Sequence, residues 1–526
     1  MPIGYHCFVL HAHLPFVRHP EHPEFLEEDW LYEAITETYI PLVMMMESLN
    51  ADRVPWKLTM SITPPLAEML ADELLQTRYV EHLNKLLQLA DDQVRSQTPG
   101  TPFYATAVMY RDHYRACRTT FVDRYKRNLL TAFRRQMEAG NLEIITCTAT
   151  HGFLPLMATE NAARAQVSVA VENYKKHFGR PPSGIWLAEC GFRRGVDDIL
   201  AEFGIDYFFL DTHGLLFGRP RPKDGPYRPI YCPSGVAAFA RDPESSNQVW
   251  SSESGYPGDP AYREFYRDLG YDADLDYIKP FLHSDGKRRN LGFKYYRITG
   301  KVGLDQKQPY NPADARERAR THAENFVFNR SHQARYLSDV TGIKPVVVSP
   351  YDAELFGHWW FEGPWFLEHC FRAMQRQDIF EPSRPLDIIR SEDAFQVVNP
   401  SPSSWGDGGY NNVWLNPGND WIYRHLHAAE QRMIELAQTH RHATGLTETA
   451  LNQAARELLL AQSSDWAFIM TTGTMVAYAE RRTRDHLHNF NGLYLQITEN
   501  RLDKDWLGDL RAKNNIFSEI NFRAYC

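Results

Sequence analysis

Long apolar runs are missing from this chain. No stretch approaches the roughly 18 uninterrupted apolar residues of a membrane-spanning helix, which excludes a helical span. Paired cysteine spacing is missing as well. The seven cysteines (Cys7, Cys117, Cys147, Cys190, Cys232, Cys370 and Cys526) are odd in number and scattered, with no C-x-x-C arrangement. That argues against a structural zinc site and for free thiols in a reducing cytoplasm. Positive charge is not in excess. A net charge of −9 gives no electrostatic footprint for nucleic acid, and the basic run AERRTRDHLHNF, broken by Glu480 and Asp485, reads as a solvated helix face. The opening MPIGYHCFVLHAHLPF has no basic n-region; it reads as a first core strand, and a cytoplasmic location is expected. Internal repeats and low-complexity tracts are also absent.

Aromatic residues are what the chain has in excess, at 13% with 12 tryptophans. Many sit in Gly/Pro/Asn-rich loops where a core has no use for them, and a sugar chain with flat apolar faces would suit such rings. At 526 residues the chain exceeds one ordinary core, so a catalytic body of α/β-barrel size with an attached domain is expected.

Short β-branched or aromatic runs repeatedly end in a polar group. HCFVLHAH ends in His11 and His13, LEIITCTATHG in His151, SGIWLAECG in Glu189, DYFFLDTHG in Asp211 and His213, VAAFARD in Arg241 and Asp242, and KPVVVSPYD in Asp352. Segments with helical apolar spacing lie between them, such as DELLQTRYVEHLNKLLQLADDQV and ENAARAQVSVAVENYKKHF. Strands alternating with helices predict parallel β/α units, and polar residues at successive strand ends describe the C-terminal face of a barrel. Two loops stand out. RPRPKDGPYRP (219–229) should project over the strand ends; NPSPSSWGDGGYNNVWLNPGND (399–420) is long enough to be a boundary and a functional loop. Beyond it, LNQAARELLLAQSSDWAF carries a helical stripe at 451, 454, 455, 458 and 459 that ends at Asp465 and Trp466.

The chemistry-bearing groups follow from these placements. Glu189 lies among Trp186, Leu187, Cys190 and Phe192, where a carboxylate is costly unless it is used or hydrogen-bonded. Asp352 occupies the corresponding place on another strand. Two such carboxylates are what glycoside chemistry requires, one to attack the anomeric carbon and one to protonate the leaving oxygen; a retaining mechanism needs them about 5 to 6 Å apart. Glu354, two residues further on, is the other carboxylate of that loop. His11, His13 and His151 with Asp352 permit a rival reading as ligands of a metal-dependent hydrolase, beside the reading as sugar-contacting, carboxylate-orienting or structural histidines. Trp30, Trp250, Trp405 and Trp414 read either as core or as stacking platforms, the pair in 399–420 favouring stacking.

The motifs HAHLPF, ATHGFLPL, WLAECGF, PYDAELFGHWWFEG and LLLAQSSDWAF resemble the five ordered regions of glycoside hydrolase family 57, in the form of its 1,4-α-glucan branching enzymes. The resemblance implies an incomplete (β/α)7 barrel (residues 1–190 and 250–400), an inserted subdomain at 191–249 with a mobile loop near 213–231, and a C-terminal helical domain (401–526) that closes over the cleft. It implies a retaining mechanism with Glu189 as nucleophile and Asp352 as general acid/base, no metal and no cofactor. Arg241, Gly258, Trp405 and Asp465 would contact substrate with His11, His13 and His151; Trp30, Trp250 and Trp414 would be aromatic platforms. Glu354 would then be a supporting residue. The loop THGLLFGRPRPKDGPYRP is shorter than is usual for such enzymes, which leaves Tyr227 as the candidate for the tyrosine that shields the site from water. The expected partner is an α-1,4-glucan as donor and acceptor, and the expected assembly a monomer or small homo-oligomer. Related readings are a 4-α-glucanotransferase or α-amylase; more distant ones are a metal-dependent carbohydrate hydrolase or deacetylase and a non-catalytic glucan-binding protein.

Overall fold

A computed structural model of the chain describes residues 2–251, 255–391 and 394–526. Its centre is a nine-stranded sheet: β1 (Gly4–Ala12), β2 (Leu58–Ile62), β3 (Leu142–Cys147), β4 (Gly184–Trp186), β5 (Tyr207–Leu210), β6 (Ile230–Tyr231), β7 (Ala237–Ala240), β8 (Val346–Asp352) and β9 (Phe380–Pro382). The order is β6-β7-β5-β4-β3-β2-β1-β8, with β9 beside β1. Among the described strands, only the β6–β7 pair is antiparallel. The burial of β1 on both faces explains its near-continuous apolar sequence. Cys7 and Val9 join Ile145, Trp186, Phe209, Phe239 and Val348 inside the curl, while Phe8 and Leu10 pack into the helical layer outside.

The sheet curls without closing into a ladder. At the gap between β7 and β8 the Asp242 amide donates to the Val348 carbonyl at 2.8 Å, and the Ser349 hydroxyl donates to Ser245 at 2.8 Å. Seven parallel strands remain when the edge strand β6 and the short β9 are set aside, so the expected incomplete (β/α)7 barrel is the architecture found.

The expected subdomain boundaries need correction. β5 and β7 lie within 191–249, yet they pair with β4 and with each other as members of the main sheet. The stretch that leaves the sheet is 255–310, which holds short helices and two isolated antiparallel bridges, Arg263 with Arg297 and Tyr296 with Pro309, and packs on the helices Glu73–Ser96 and Pro102–Arg118. Tyr110 donates to the Lys294 carbonyl at 3.1 Å there, and Tyr295 donates to Gln93 at 2.8 Å. The loop near 213–231 is tied to 396–399: Arg219 and Asn399 exchange backbone hydrogen bonds at 2.9 Å, and the Tyr231 amide donates to the Gln396 carbonyl at 3.0 Å.

The C-terminal part is helical, as expected. The helices Gly445–Ala461 and Val476–Thr498 pack together, and Leu451, Ala454, Ala455, Leu458 and Leu459 of the predicted stripe are all fully buried. Glu457 sits in that interface, accepting from Asn514 at 2.8 Å and Gln453 at 2.8 Å and pairing with His486 at 2.7 Å. All seven cysteines are free thiols, six of them buried. Among the described residues no helix is long and apolar enough to cross a membrane.

Candidate active site

The C-terminal ends of the parallel strands open into a cavity of about 770 Å³, and the polar strand-end residues line it. His11 at the end of β1 is in register with Asp352 at the end of β8. His151 follows β3, Glu189 follows β4 and Arg241 follows β7. The opposite wall comes from the 405–414 loop and from the helix Ser464–Thr472, which brings in Asp465.

Glu189 is held in a backbone conformation that few side-chain-bearing residues adopt, with φ 61° and ψ 22°. Cys190 and His151 also have positive φ, at 51° and 58°. Such residues persist only where the surroundings fix them, and they cluster at functional sites. Here the fixing is visible. The Trp405 amide donates to the Glu189 carbonyl at 2.9 Å, and the Trp405 indole donates to Glu189 Oε2 at 2.8 Å. One tryptophan therefore clamps both backbone and carboxylate. Ser464 donates to Glu189 Oε1 at 3.4 Å, and its oxygen lies 2.8 Å from His151 Nδ1.

Asp352 shares its surroundings with Glu354, whose Oε1 accepts from the His13 amide at 3.1 Å and from Tyr39. Tyr39 ends a π-helical turn, Ile35–Tyr39, of the kind that often marks a functional site. His13 Nε2 lies 3.0 Å from Asp465, and its Nδ1 lies 3.0 Å from Thr63. Burial pushes the Glu189 carboxyl up to about 7, against the pull of the Trp405 hydrogen bond and with help from the charge of Asp352. Burial and the charge of Glu354 push Asp352 up to about 7. Burial acts on Asp465 too, but the charge and hydrogen bond of His13 override it and hold the group at about 2. His11 and His151 are pushed well down by burial and by their neighbouring histidines, so both are neutral at pH 7.

These shifts set a pH dependence. A site that needs one of two carboxylates ionised and the other protonated works best when the pair holds one proton, and the apparent pKa values belong to the pair. With both carboxyls near 7, kcat/KM should peak near neutrality and fall on both sides, its acid limb well above the usual carboxylate range. Rates measured from about pH 4 to 9 check this; an acid limb centred near 4 contradicts it. In Glu354→Gln the alkaline limb should move to lower pH, because a negative charge that favours protonated Asp352 is gone.

Of the residues picked from the sequence, His11, His13, His151, Glu189, Arg241, Trp250, Asp352, Trp405, Trp414 and Asp465 meet around the one cavity. Arg241 pairs with Asp211 at 2.9 Å, and Trp250 stands edge-on to Trp405 at 6.2 Å. Three of the expected residues lie away from this cavity, and Trp414 meets it in another way. Trp30 lies outside the cavity lining, edge-on to Tyr478 at 6.0 Å. Tyr227 sits in the short helix Gly225–Tyr227, half-buried near Gln333 and Asp242, and does not line the cavity. Gly258 borders a separate groove with Tyr256 and His322. Trp414 reaches the cavity wall but is only 1% exposed and stacks on Phe153 at 4.5 Å, so it supports the 405–414 loop rather than offering an open ring face.

Three further residues line or support the site without an assignment from the sequence, Trp359, Phe468 and Ser464, while Glu354 holds the supporting place expected of it. Trp359 and Phe468 are 54% and 44% exposed. Exposed aromatics inside otherwise recognised motifs (FGHWW, SSDWAF) were the signal for the first two. For Ser464 no sequence signal exists beyond its place beside Asp465.

His13, His151 and Asp465 lie close enough to hold a metal ion, as do His11, Cys147 and His151. Their ring nitrogens are already engaged within the protein. His11 bonds Ser61 and His151, His151 bonds Ser464, and His13 bonds Thr63 and Asp465. A metal would have to displace these partners, so the donor set fits a hydrogen-bonded network better than a coordination sphere.

Comparison with known proteins agrees with the geometry. The sequence pattern of glycosyl hydrolase family 57 matches residues 7–400, and that of the 1,4-alpha-glucan branching enzyme C-terminal region matches residues 425–525. A 1,4-alpha-glucan branching enzyme of Thermococcus kodakarensis is 34% identical, aligned over 99% of this chain and 78% of its own. Among solved structures, a novel alpha-amylase of Thermotoga maritima superposes with a TM-score of 0.93 at 47% identity, covering 99% of both chains. A branching enzyme of the same family from Pyrococcus horikoshii superposes with a TM-score of 0.89 at 33% identity, covering 99% of this chain and 97% of that one. A curled parallel sheet, two carboxylates at its strand ends and a pattern spanning most of the sequence agree, and the chain belongs to glycosyl hydrolase family 57.

Proposed function

We propose that the protein is a retaining 1,4-α-glucan branching enzyme that acts in the cytoplasm, in glycogen biosynthesis or on a related α-glucan. The observation that carries this reading is the Glu189/Asp352 pair facing one aromatic-walled cavity, on a chain whose C-terminal helices match the branching-enzyme region. Glu189 attacks the anomeric carbon of an internal α-1,4 linkage while Asp352 gives its proton to the leaving oxygen. The chain segment is then bound covalently to Glu189. Asp352, now a carboxylate, removes the proton of an incoming 6-hydroxyl, which displaces Glu189 and forms the α-1,6 branch with net retention. Trp405 and Ser464 hold the Glu189 carboxylate for both steps, and neutral His11 and His151 line the sugar site beside it.

Proton NMR of amylose incubated with the protein tests the reading. New α-1,6 anomeric signals with few new reducing ends are expected. Reducing ends without α-1,6 signals would favour the second reading, hydrolysis, for which the 47% identity to an alpha-amylase speaks. Both readings use the same two carboxylates and differ in what resolves the intermediate. Activity should survive exhaustive chelation unchanged; loss on chelation with recovery on adding back a divalent ion would revive the metal-dependent reading.

A further inference from the structure

Next to the cavity lies a group of buried charges that the reaction does not use. Glu37 pairs with Arg263 at 3.1 Å and with His358 Nδ1 at 2.7 Å, and Arg263 donates to the His358 carbonyl at 3.2 Å. The Arg263 amide donates to Glu362 at 3.0 Å, and Tyr310 donates to the same carboxylate at 2.6 Å. Gly357, at φ 119°, lets the loop approach so closely that a Cβ there would lie 1.8 Å from the Glu37 carbonyl oxygen. Ion pairs this deeply buried are weak evidence for stability but fix one geometry when fully satisfied.

What they fix stands directly above them. Phe265, two residues from Arg263, and Trp359, next to His358, stack face to face at 4.3 Å and 24°. Trp359 is 54% exposed and lines the catalytic cavity. Tyr266 stands edge-on to Phe265 at 5.3 Å and is 79% exposed. The rings therefore run from the cavity wall out to solvent, Trp359 and Tyr266 exposed and Phe265 half-buried as their support, with the Lys294 ammonium 5.3 Å from its ring centroid. Large aromatic groups held rigid but left wet are what pyranose rings stack on, since the apolar face binds the sugar and little conformational freedom is lost.

Their position selects the chain they serve. Trp359 belongs to the loop that starts at Asp352, whereas Trp405 stands at Glu189. The general acid meets the oxygen that joins the leaving chain to the transferred one, so rings on its loop lie along the leaving chain and, after exchange, along the acceptor. We propose that Trp359 and Phe265, continued by Tyr266, form a preorganised platform for the leaving and accepting α-1,4-glucan chain. This rests on the transferase reading above and adds where the acceptor is held.

The test uses the full-length protein with α-maltosyl fluoride as donor and maltoheptaose as acceptor, counting transfer products of any linkage against fluoride released. In Trp359→Ala and Phe265→Ala the ratio of transfer to fluoride release should fall about tenfold, and half-maximal transfer should need about tenfold more acceptor. Trp359→Phe should restore most of the ratio. Tyr266→Ala, at a position too exposed to endanger folding, should move the ratio the same way to a smaller degree. An unchanged ratio and acceptor dependence in all of them overturns the platform. An equal fall in transfer and fluoride release assigns the rings to the donor instead and overturns the acceptor role. Because the ratio counts every linkage, a wild-type protein that makes only α-1,4 bonds contradicts branching without touching the platform.

Discussion

Glu189→Gln should lower kcat/KM on amylose by on the order of 10⁵-fold, because an amide cannot form the glycosyl-enzyme on which both half-reactions depend. Folding should not suffer. In the native protein burial raises this carboxyl from 4.5 to about 7, so the protonated form is the one that folding favours. The sign follows: stability tied to Glu189 is fully present below about 4.5 and is lost as pH rises through about 7. Glutamine keeps an acceptor for the Trp405 indole and carries no charge to bury. The variant's Tm at pH 8 should therefore be no lower than that of the wild type. Glu189→Ala supplies the stereochemical check. Azide can occupy the vacated space and displace the leaving group directly, giving a glycosyl azide of inverted, β configuration. A product of retained configuration would mean that another residue is the nucleophile.

Asp352→Asn should cost about 10²- to 10⁴-fold on amylose, the usual worth of a positioned general acid. The loss should depend on the leaving group. With α-maltosyl fluoride, whose leaving group needs no protonation, the first step should stay fast while the second, which needs Asp352 as base, becomes slow. The glycosyl-enzyme then accumulates and fluoride appears in a burst equal to the enzyme concentration. Added azide should relieve the second step and give the α-azide, the opposite anomer to that from Glu189→Ala. A uniform loss across donors, with no burst, would remove Asp352 from the acid/base role and turn attention to Glu354, which shares its surroundings.

The strand ends were legible in the sequence because each combined an abruptly ending apolar run with a polar terminus. HCFVLHAH, WLAECG and VVVSPYD needed only the two-face burial of a parallel strand to be recognised. The same reading marked DYFFLD and VAAFAR as strands, while the family resemblance set an inserted subdomain across them at 191–249. The structure follows the residues, since β5 and β7 are pairing members of the sheet. Gly258 was assigned by its place in a motif and Tyr227 by its place in a loop, and neither says which side of the barrel the segment falls on. Trp414 shows the limit of composition. Its Gly- and Asn-rich neighbours look solvent-facing, but they form turns that fold the ring onto Phe153. The support beneath Glu354 and Trp359 comes from the π-helical turn Ile35–Tyr39, more than 300 positions away in sequence. No local pattern announces a contact of that range.

The most direct measurement is mass spectrometry of the trapped intermediate. The protein is incubated with a 5-fluoro-α-glucosyl fluoride, which forms the glycosyl-enzyme but resolves it slowly, then digested at low pH and sequenced by fragmentation. The account predicts one equivalent of fluoroglucosyl residue, on the peptide containing WLAECGF and at Glu189, and none in Glu189→Gln. Label on Asp352, or turnover with retention and no covalent adduct, would contradict it.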